Sequence, residues 1–287
     1  MKHQLIDQTS IYLLKKQFTI RVLTRTCFDL VARKGKQILL IKVLEDANSI
    51  NNEFAEEMRK MGNYFAASAL IISDKAGTIL ADNVVYTRFG IYTLNFNTFR
   101  SCIENKMPFV RRTHAGLTAN LIGDKLREIR EKQGFSLSGL AKKIGVSSSM
   151  IKKYENSNAE VTVNRALRIY ELFGGNVFRR IDVFSEKNYV FDADKGTFTK
   201  KYHDLGFEAS RTRRVPFDIV AKREKEIIFT QVSDKPNPQS QSLARLINAD
   251  NLIIFRKKKP KDIPSMTKEE FLDYEEANEL IKFVKEF

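Results

Sequence analysis

The chain has 287 residues, 43% hydrophobic and 29% charged, with a formal net charge of +14. These values exclude wholesale disorder and leave room for two or three domains, and the cationic excess favours polyanionic partners, nucleic acid before an acidic membrane surface. No apolar run reaches the roughly 18 residues of a membrane span, the first residues carry no signal-peptide core, and Cys27, Cys102, His3, His114 and His203 lack metal-ligand spacing; we therefore expect a cytoplasmic protein with reduced thiols, no cofactor, no metal and no membrane partner.

An internal repeat opens the chain. The run from Phe28-Asp29-Leu30-Val31-Ala32 to Val43 aligns without gaps to Phe217-Asp218-Ile219-Val220-Ala221 through Val232, and the same register pairs Phe18 with Phe207 and Arg25 with Arg214. Further on, residues 68–72 resemble residues 250–254, after a shorter connection in the second copy. Each copy reads as strand, charged hairpin turn, strand, helix and strand, because β-branched runs are bounded by charged turns. In the first copy the helix is expected at about 52–61 and the next strand at 69–73. Residues 77–80 and 86–96 read as further strands, 99–105 as a short helix, and 114–120 as a linker.

Residues 123–175 carry a dense helical pattern. Leu126, Ile129 and Arg130 open a period that Gly134 ends as a C′ glycine. Ser136 is an N-cap for a helix over 137–144, with Leu137, Leu140, Ala141 and Ile144 on one face. Gly145 permits a tight turn, Val146 plugs the core, and Ser147 caps a third helix running to about Asn156 with Ile151 and Tyr154 inward. Thr162 caps a fourth, whose apolar positions are Ala166, Leu167, Ile169, Tyr170 and Phe173, and Gly174-Gly175 stops it.

Two short helices joined by a glycine turn and braced by their neighbours make a helix-turn-helix, at about residues 125–175. The second helix of the pair would enter the major groove with its leading side chains at base edges: Ser148, Ser149, Met150, Lys152 and Lys153. Hydroxyls suit base edges, Met150 a thymine methyl, and the lysines phosphate or guanine. Ser136, Ser138 and neighbouring backbone N–H groups suit the phosphate backbone, and Ser147 completes the candidate DNA-binding set. The alternative reading is a helical bundle that binds protein.

The pattern of Leu126, Arg130, Ser136-Leu137, Leu140-Ala141, Ile144 to Ser147, Ile151, Tyr154-Glu155 and Ala166-Leu167 resembles the Cro/repressor-type helix-turn-helix family. That resemblance implies an all-α five-helix unit over 121–176. One departure is Ser157, where the family commonly has glycine; Asn156 and Asn158 beside it tolerate the left-handed conformation the turn needs.

Residues 177–181 and 189–191 read as strands, and Asp182 to Lys187 and 236–240 as loops. A third domain is expected to begin near Phe198. Its run Lys257-Lys258-Lys259-Pro260-Lys261 reads as a solvated loop, with a phosphate contact as the alternative. A last helix over 268–287 would carry Phe271, Tyr274, Ala277, Ile281 and Val284 as its apolar stripe.

Strand, Asp, hairpin, strand and helix also resembles the restriction-endonuclease and junction-resolvase fold. The resemblance implies that Asp29 and Asp218 match the first metal-binding acid. The second acid falls at Lys42 and Gln231, and the lysine at Leu44 and Ser233, while Glu45 and Asp234 are in a different register. A single carboxylate cannot organise a Mg²⁺ site, so both copies are expected to be non-catalytic, with Asp29 and Asp218 capping a turn or pairing with Arg25 or Arg214.

The expected architecture is multidomain: α/β nuclease-like domains at 1–112 and 198–287 flanking the helix-turn-helix. The whole arrangement resembles archaeal helix-turn-helix regulatory proteins. It implies a sequence-specific transcriptional regulator on double-stranded DNA, a homodimer whose non-catalytic flanking domains associate or sense an effector. A metal-dependent nuclease targeted by the helix-turn-helix, and a protein-binding adaptor, are the rivals.

Overall fold

The structure, a computed structural model, describes residues 2–185, 189–191, 194 and 196–286. The first half contains α1 (Lys2–Lys15), β1 (Thr19–Val22), β2 (Leu30–Lys34), β3 (Gln37–Asp46), α2 (Asn52–Phe65), β4 (Ser68–Ala76), β5 (Thr78–Ile79), β6 (Val84–Arg88), β7 (Ile91–Leu94), α3 (Phe96–Ile103), β8 (Val110–Thr113) and β9 (Gly116–Asn120). The helical segment follows as α4 (Gly123–Lys132), α5 (Leu137–Ile144), α6 (Ser148–Asn156), β10 (Glu160–Thr162) and α7 (Val163–Phe173). The last part holds α8 (Thr197–Asp204), β11 (Glu208–Arg211), β12 (Ile219–Arg223), β13 (Glu226–Val232), α9 (Pro238–Ile247), β14 (Asp250–Ile254), β15 (Ser265–Met266), α10 (Lys268–Asp273) and α11 (Ala277–Lys285). By internal contacts the chain forms two units, Met1–Ile71 with Phe184–Phe287, and Ile72–Val183. None of the described helices is long and apolar enough to cross a membrane.

In the first unit the sequence repeat becomes a structural one. β1 pairs antiparallel with β2, setting Thr19 opposite Arg33; β11 pairs with β12, setting Glu208 opposite Lys222. Leu30 faces Ile41 across β2 and β3 just as Ile219 faces Thr230 across β12 and β13. All of these are repeat mates. The hairpin turns match as well: Gly35 (φ 58°) and Glu224 (φ 55°) occupy the same left-handed place. Asn51 and Asn237 cap α2 and α9 by accepting backbone N–H bonds, and both helices end left-handed, at Ala66 and Asn248. The apolar run of β3 is buried along its centre, as a strand covered on both faces requires.

Two expectations change here, the last helix and the strand at 189–191, and one helix appears where the sequence named no element. The residues before β1 form α1, whose Leu5, Thr9 and Leu13 are buried one turn apart. The expected helix over 268–287 is instead α10 and α11, broken at Tyr274 in an extended conformation. Asp273, Glu275 and Glu276 crowd that break, and carboxylates oppose a helix C-terminus; Phe287 lies outside the described residues. Tyr189 to Phe191 form no strand. The expected loop from Asp182 to Lys187 is described only to Ser185; Glu186 and Lys187 lie outside the described residues.

In the second unit β6 pairs with β7 and with β8, β8 with β9, and β9 with β10. The helix-turn-helix is therefore not an all-α five-helix unit. It has four α-helices, a short 3-10 turn at Gly175–Val177, and a strand, β10, between α6 and α7. The expected linker at 114–120 is mostly β9, which sets buried Ala119 opposite buried Val161 in the helical core. Small and polar residues hid that strand. Residues 177–181 form no strand; Phe178 makes a single bridge to Leu121 and is fully buried, stacked on Phe109 at 4.6 Å, so its apolar signal is that of a core plug. After α6 the chain leaves through Ser157 in an extended conformation, not through a left-handed asparagine.

Candidate nucleic-acid interface

The helix pair is assembled around Leu126, Leu140, Ala141, Ile144, Ile151, Tyr154, Ala166 and Ile169, all buried in one cluster. Gly145 (φ 79°) makes the turn between α5 and α6, its N–H donating to Ala141 O at 2.9 Å. The Arg168 guanidinium of α7 covers Gly145 and donates to Ile144 O at 2.8 Å, so a side chain at 145 would displace a C-terminal cap of α5. Gly123 allows an equally close approach: a Cβ there would lie 2.5 Å from Glu155 O and 2.7 Å from Tyr154 O. The N-terminus of α4 thus meets the carbonyl end of α6, an arrangement that the helix dipoles favour.

A buried ion pair holds the same junction. Arg130 donates from Nε to Glu155 Oε1 at 2.5 Å and from Nη2 to Oε2 at 3.0 Å. Its Nη1 donates to Phe135 O at 2.9 Å, in the connection before α5. One guanidinium therefore ties together α4, the approach to α5 and the end of α6. Arg130 and Glu155 both stood in the sequence pattern, but spacing alone did not pair them.

The outer face of α6 is exposed at Ser148, Ser149, Lys152 and Lys153, while Ile151 and Tyr154 are buried on the opposite face. Met150 is half-buried and packs on the core cluster, which draws it partly away from that face. The serines divide by role. Ser147 Oγ caps α6 by accepting from Met150 N at 3.2 Å and shares a hydrogen bond with Ser149 Oγ at 2.8 Å. Ser136 Oγ caps α5 by accepting from Gly139 N at 3.0 Å and pairs with Ser138 Oγ at 3.0 Å. Ser136 and Ser147 therefore orient the helices, and neither Ser148 nor Ser149 has a capping task at the head of α6. From Ser136 to Lys153 the chain carries four lysines, Lys142, Lys143, Lys152 and Lys153, and no carboxylate. All four are exposed.

The nuclease-like acids have a different environment. Asp29 accepts from Val43 N at 2.8 Å and takes the ammonium groups of Lys42 at 3.3 Å and Lys2 at 3.0 Å. Its ionic partners are these lysines, not the expected Arg25. Lys42 is buried, donates also to Thr26 O at 3.0 Å, and lies over the Phe54 ring. Burial lowers its pKa below the ordinary lysine value, and Asp29 pulls the other way. Asp218 repeats the backbone part, accepting from Val232 N at 2.7 Å. Its neighbour Gln231 accepts from Asn237 N at 2.9 Å. Both aspartates thus clamp the following strand. No group of three His, Cys, Asp or Glu side chains among the described residues could hold a metal ion. Cys27 and Cys102 are free thiols, and burial raises both above the ordinary range, Cys102 to about 12. The basic run at 257–261 is a loop whose start is held by Asp234, which accepts from Arg256 N and Lys257 N.

These features define a helix-turn-helix protein with an α/β nuclease-like portion, and comparison with known proteins agrees. Residues 126–177 match the helix-turn-helix family, and residues 2–108 match a PD-(D/E)XK superfamily domain. The chain is 31% identical over 281 aligned positions to a protein of Pyrococcus furiosus, covering 91% of this chain and 89% of the relative. It is 31% identical over 302 positions to one of Archaeoglobus fulgidus, covering 98% and 97%. A protein of Methanocaldococcus jannaschii is 29% identical over 311 positions, covering 99% and 97%. Each is named as a candidate HTH-type transcriptional regulatory protein. No solved structure matches. The chain belongs to this archaeal family of HTH-type transcriptional regulatory proteins.

Proposed function

We propose that this protein is a sequence-specific DNA-binding transcriptional regulator that places α6 in the major groove of double-stranded DNA. The observation that carries the reading is the exposed head of α6: Ser148, Ser149, Lys152 and Lys153 point outward from a helix locked from behind by Arg130–Glu155 and Ile151. Serine hydroxyls at base edges discriminate sequence, and the lysines neutralise phosphate. Counterion release makes such binding fall steeply with salt. Fluorescence anisotropy of the full chain on duplex DNA across a salt series tests it. Lys152→Ala and Lys153→Ala should each weaken binding to all sequences and lower the salt slope by about 1. Affinity indifferent to salt and to both lysines would remove the reading and favour a protein partner.

The flanking α/β copies act without catalysis. At the Asp29 site two ammonium groups occupy the anion where a nuclease would need a divalent cation, and the second acid and the lysine are absent at Lys42 and Leu44. Incubation with Mg²⁺ or Mn²⁺ and several DNA substrates should give no cleavage; cleavage abolished by Asp29→Ala would restore the nuclease reading.

A further inference from the structure

We infer that the two α/β copies form a fused pseudo-symmetric pair, and that the protein therefore reads DNA as a monomer on a single asymmetric half-site. The contacts between the copies are reciprocal. Thr24 N donates to the Gln239 side chain of α9 at 3.1 Å, and Arg213 N donates to the Glu57 side chain of α2 at 3.3 Å. Thr24 and Arg213 are mates in the repeat register. When α2 and α9 are aligned on their left-handed caps, Ala66 and Asn248, Glu57 and Gln239 are mates too. A second set is reciprocal to within one residue, the mate of Leu246 being Tyr64. Arg33 Nη1 donates to Leu246 O, near the end of α9, at 2.9 Å; its mate Lys222 donates from Nζ to Asn63 O, near the end of α2, at 3.3 Å. Each helix also packs on the other copy's sheet: α9 on β1 and β2, α2 on β12.

Contacts of i with j, repeated between the mates of j and i, are the signature of an isologous two-fold interface. Here both halves lie in one chain. The symmetry is not exact: Cys27 N donates to Arg214 O at 2.7 Å, but the mate of Cys27 is Pro216, which has no N–H to return the bond, and Lys60 Nζ donates to Arg211 O at 3.0 Å, where the mate of Lys60 is Ser242.

The consequence follows by occupancy. Helix-turn-helix dimers bring two readers to two half-sites about 10 bp apart through a self-complementary surface. In this chain the self-complementary surface of the repeated domain is already filled by its own second copy, while the family match places a helix-turn-helix only at 126–177. Filling that surface internally leaves one reader per assembly. This revises the homodimer expected from sequence, and it rests on the proposed DNA-binding role.

Native mass spectrometry of the full chain, alone and with duplexes selected from a randomised library, tests it. The protein alone should have the mass of one 33.1 kDa chain. The complex should hold one chain per duplex, and the selected motif should lack a dyad and span no more than about one helical turn. A dimer in free solution, or two chains on a palindromic motif, would overturn the inference and leave DNA reading intact. Failure to enrich any motif would overturn the DNA reading and the half-site with it, while the free mass would still decide the fused pair.

Discussion

Replacing Arg130 should cost more than replacing Glu155, although the two share one ion pair. Removing one member of a buried pair costs about 3–5 kcal/mol, and the surroundings decide where in that range each variant falls. The side chains are 10% and 3% exposed. With Met at 155, Arg130 keeps the Phe135 carbonyl at 2.9 Å and the solvent-facing Glu131 at 3.0 Å, so the loss should be near the lower end, about 3 kcal/mol. With Met at 130, the deeply buried Glu155 carboxylate retains Arg127, half-exposed and 3.6 Å away, so the loss should approach about 5 kcal/mol. Replacing both by Met removes both charges and should recover most of the loss. Hydrogen exchange on peptides from 123–156 is the suitable assay, since a chain of two units need not unfold in one transition. Exchange in the Glu155→Met protein should accelerate about 100-fold, and further in Arg130→Met. Equal effects of the single variants, or a double variant as unprotected as the worse single one, would refute the reasoning.

Other variants probe other parts of the account. Asp194 is pushed up by burial but held at about 2 by the Arg211 guanidinium and the Gly196 and Arg211 N–H groups. Its folded pKa lies below the ordinary 3.8, so its stabilisation is complete above that value and lost as pH falls towards about 2; acid unfolding of Asp194→Asn should lack this component. Glu224 sits exposed at φ 55°, where its mate is Gly35. Glu224→Gly should therefore raise stability by up to about 1 kcal/mol, read as a higher melting temperature. Ser147→Ala should weaken α6 by about 1 kcal/mol in exchange protection through loss of its N-cap. Ser148→Ala should leave protection within about 0.5 kcal/mol.

The helix-turn-helix was largely legible in the sequence because its determinants are local. Ser136 and Ser147 cap, Gly145 turns left-handed, and Ile151 and Tyr154 point inward, all within one or two turns of the residues that signal them. The repeat was legible for a similar reason: a gapless alignment fixes both hairpin registers at once. What escaped depends on distant partners. β9 is built from Gly116, Leu117, Thr118, Ala119 and Asn120, a weak strand signal that becomes a strand by pairing with β8 and β10. Lys2 reaches Asp29 from a helix whose large apolar residues are spread around it, with Ile11 and Leu14 exposed, so that no single apolar face announces it. Each reciprocal contact between the copies joins a side chain to a backbone N–H or carbonyl more than 150 residues away, and a backbone partner leaves no mark in the sequence.

Base preference decides whether the head of α6 faces the bases. Motifs selected from a randomised duplex library by the native chain and by the Ser148→Ala and Ser149→Ala variants should differ at one or two adjacent base pairs, with binding to unrelated DNA and its salt slope unchanged. An identical motif from all three proteins would show that these side chains do not face the bases, and the assignment of α6 as the reader would be wrong.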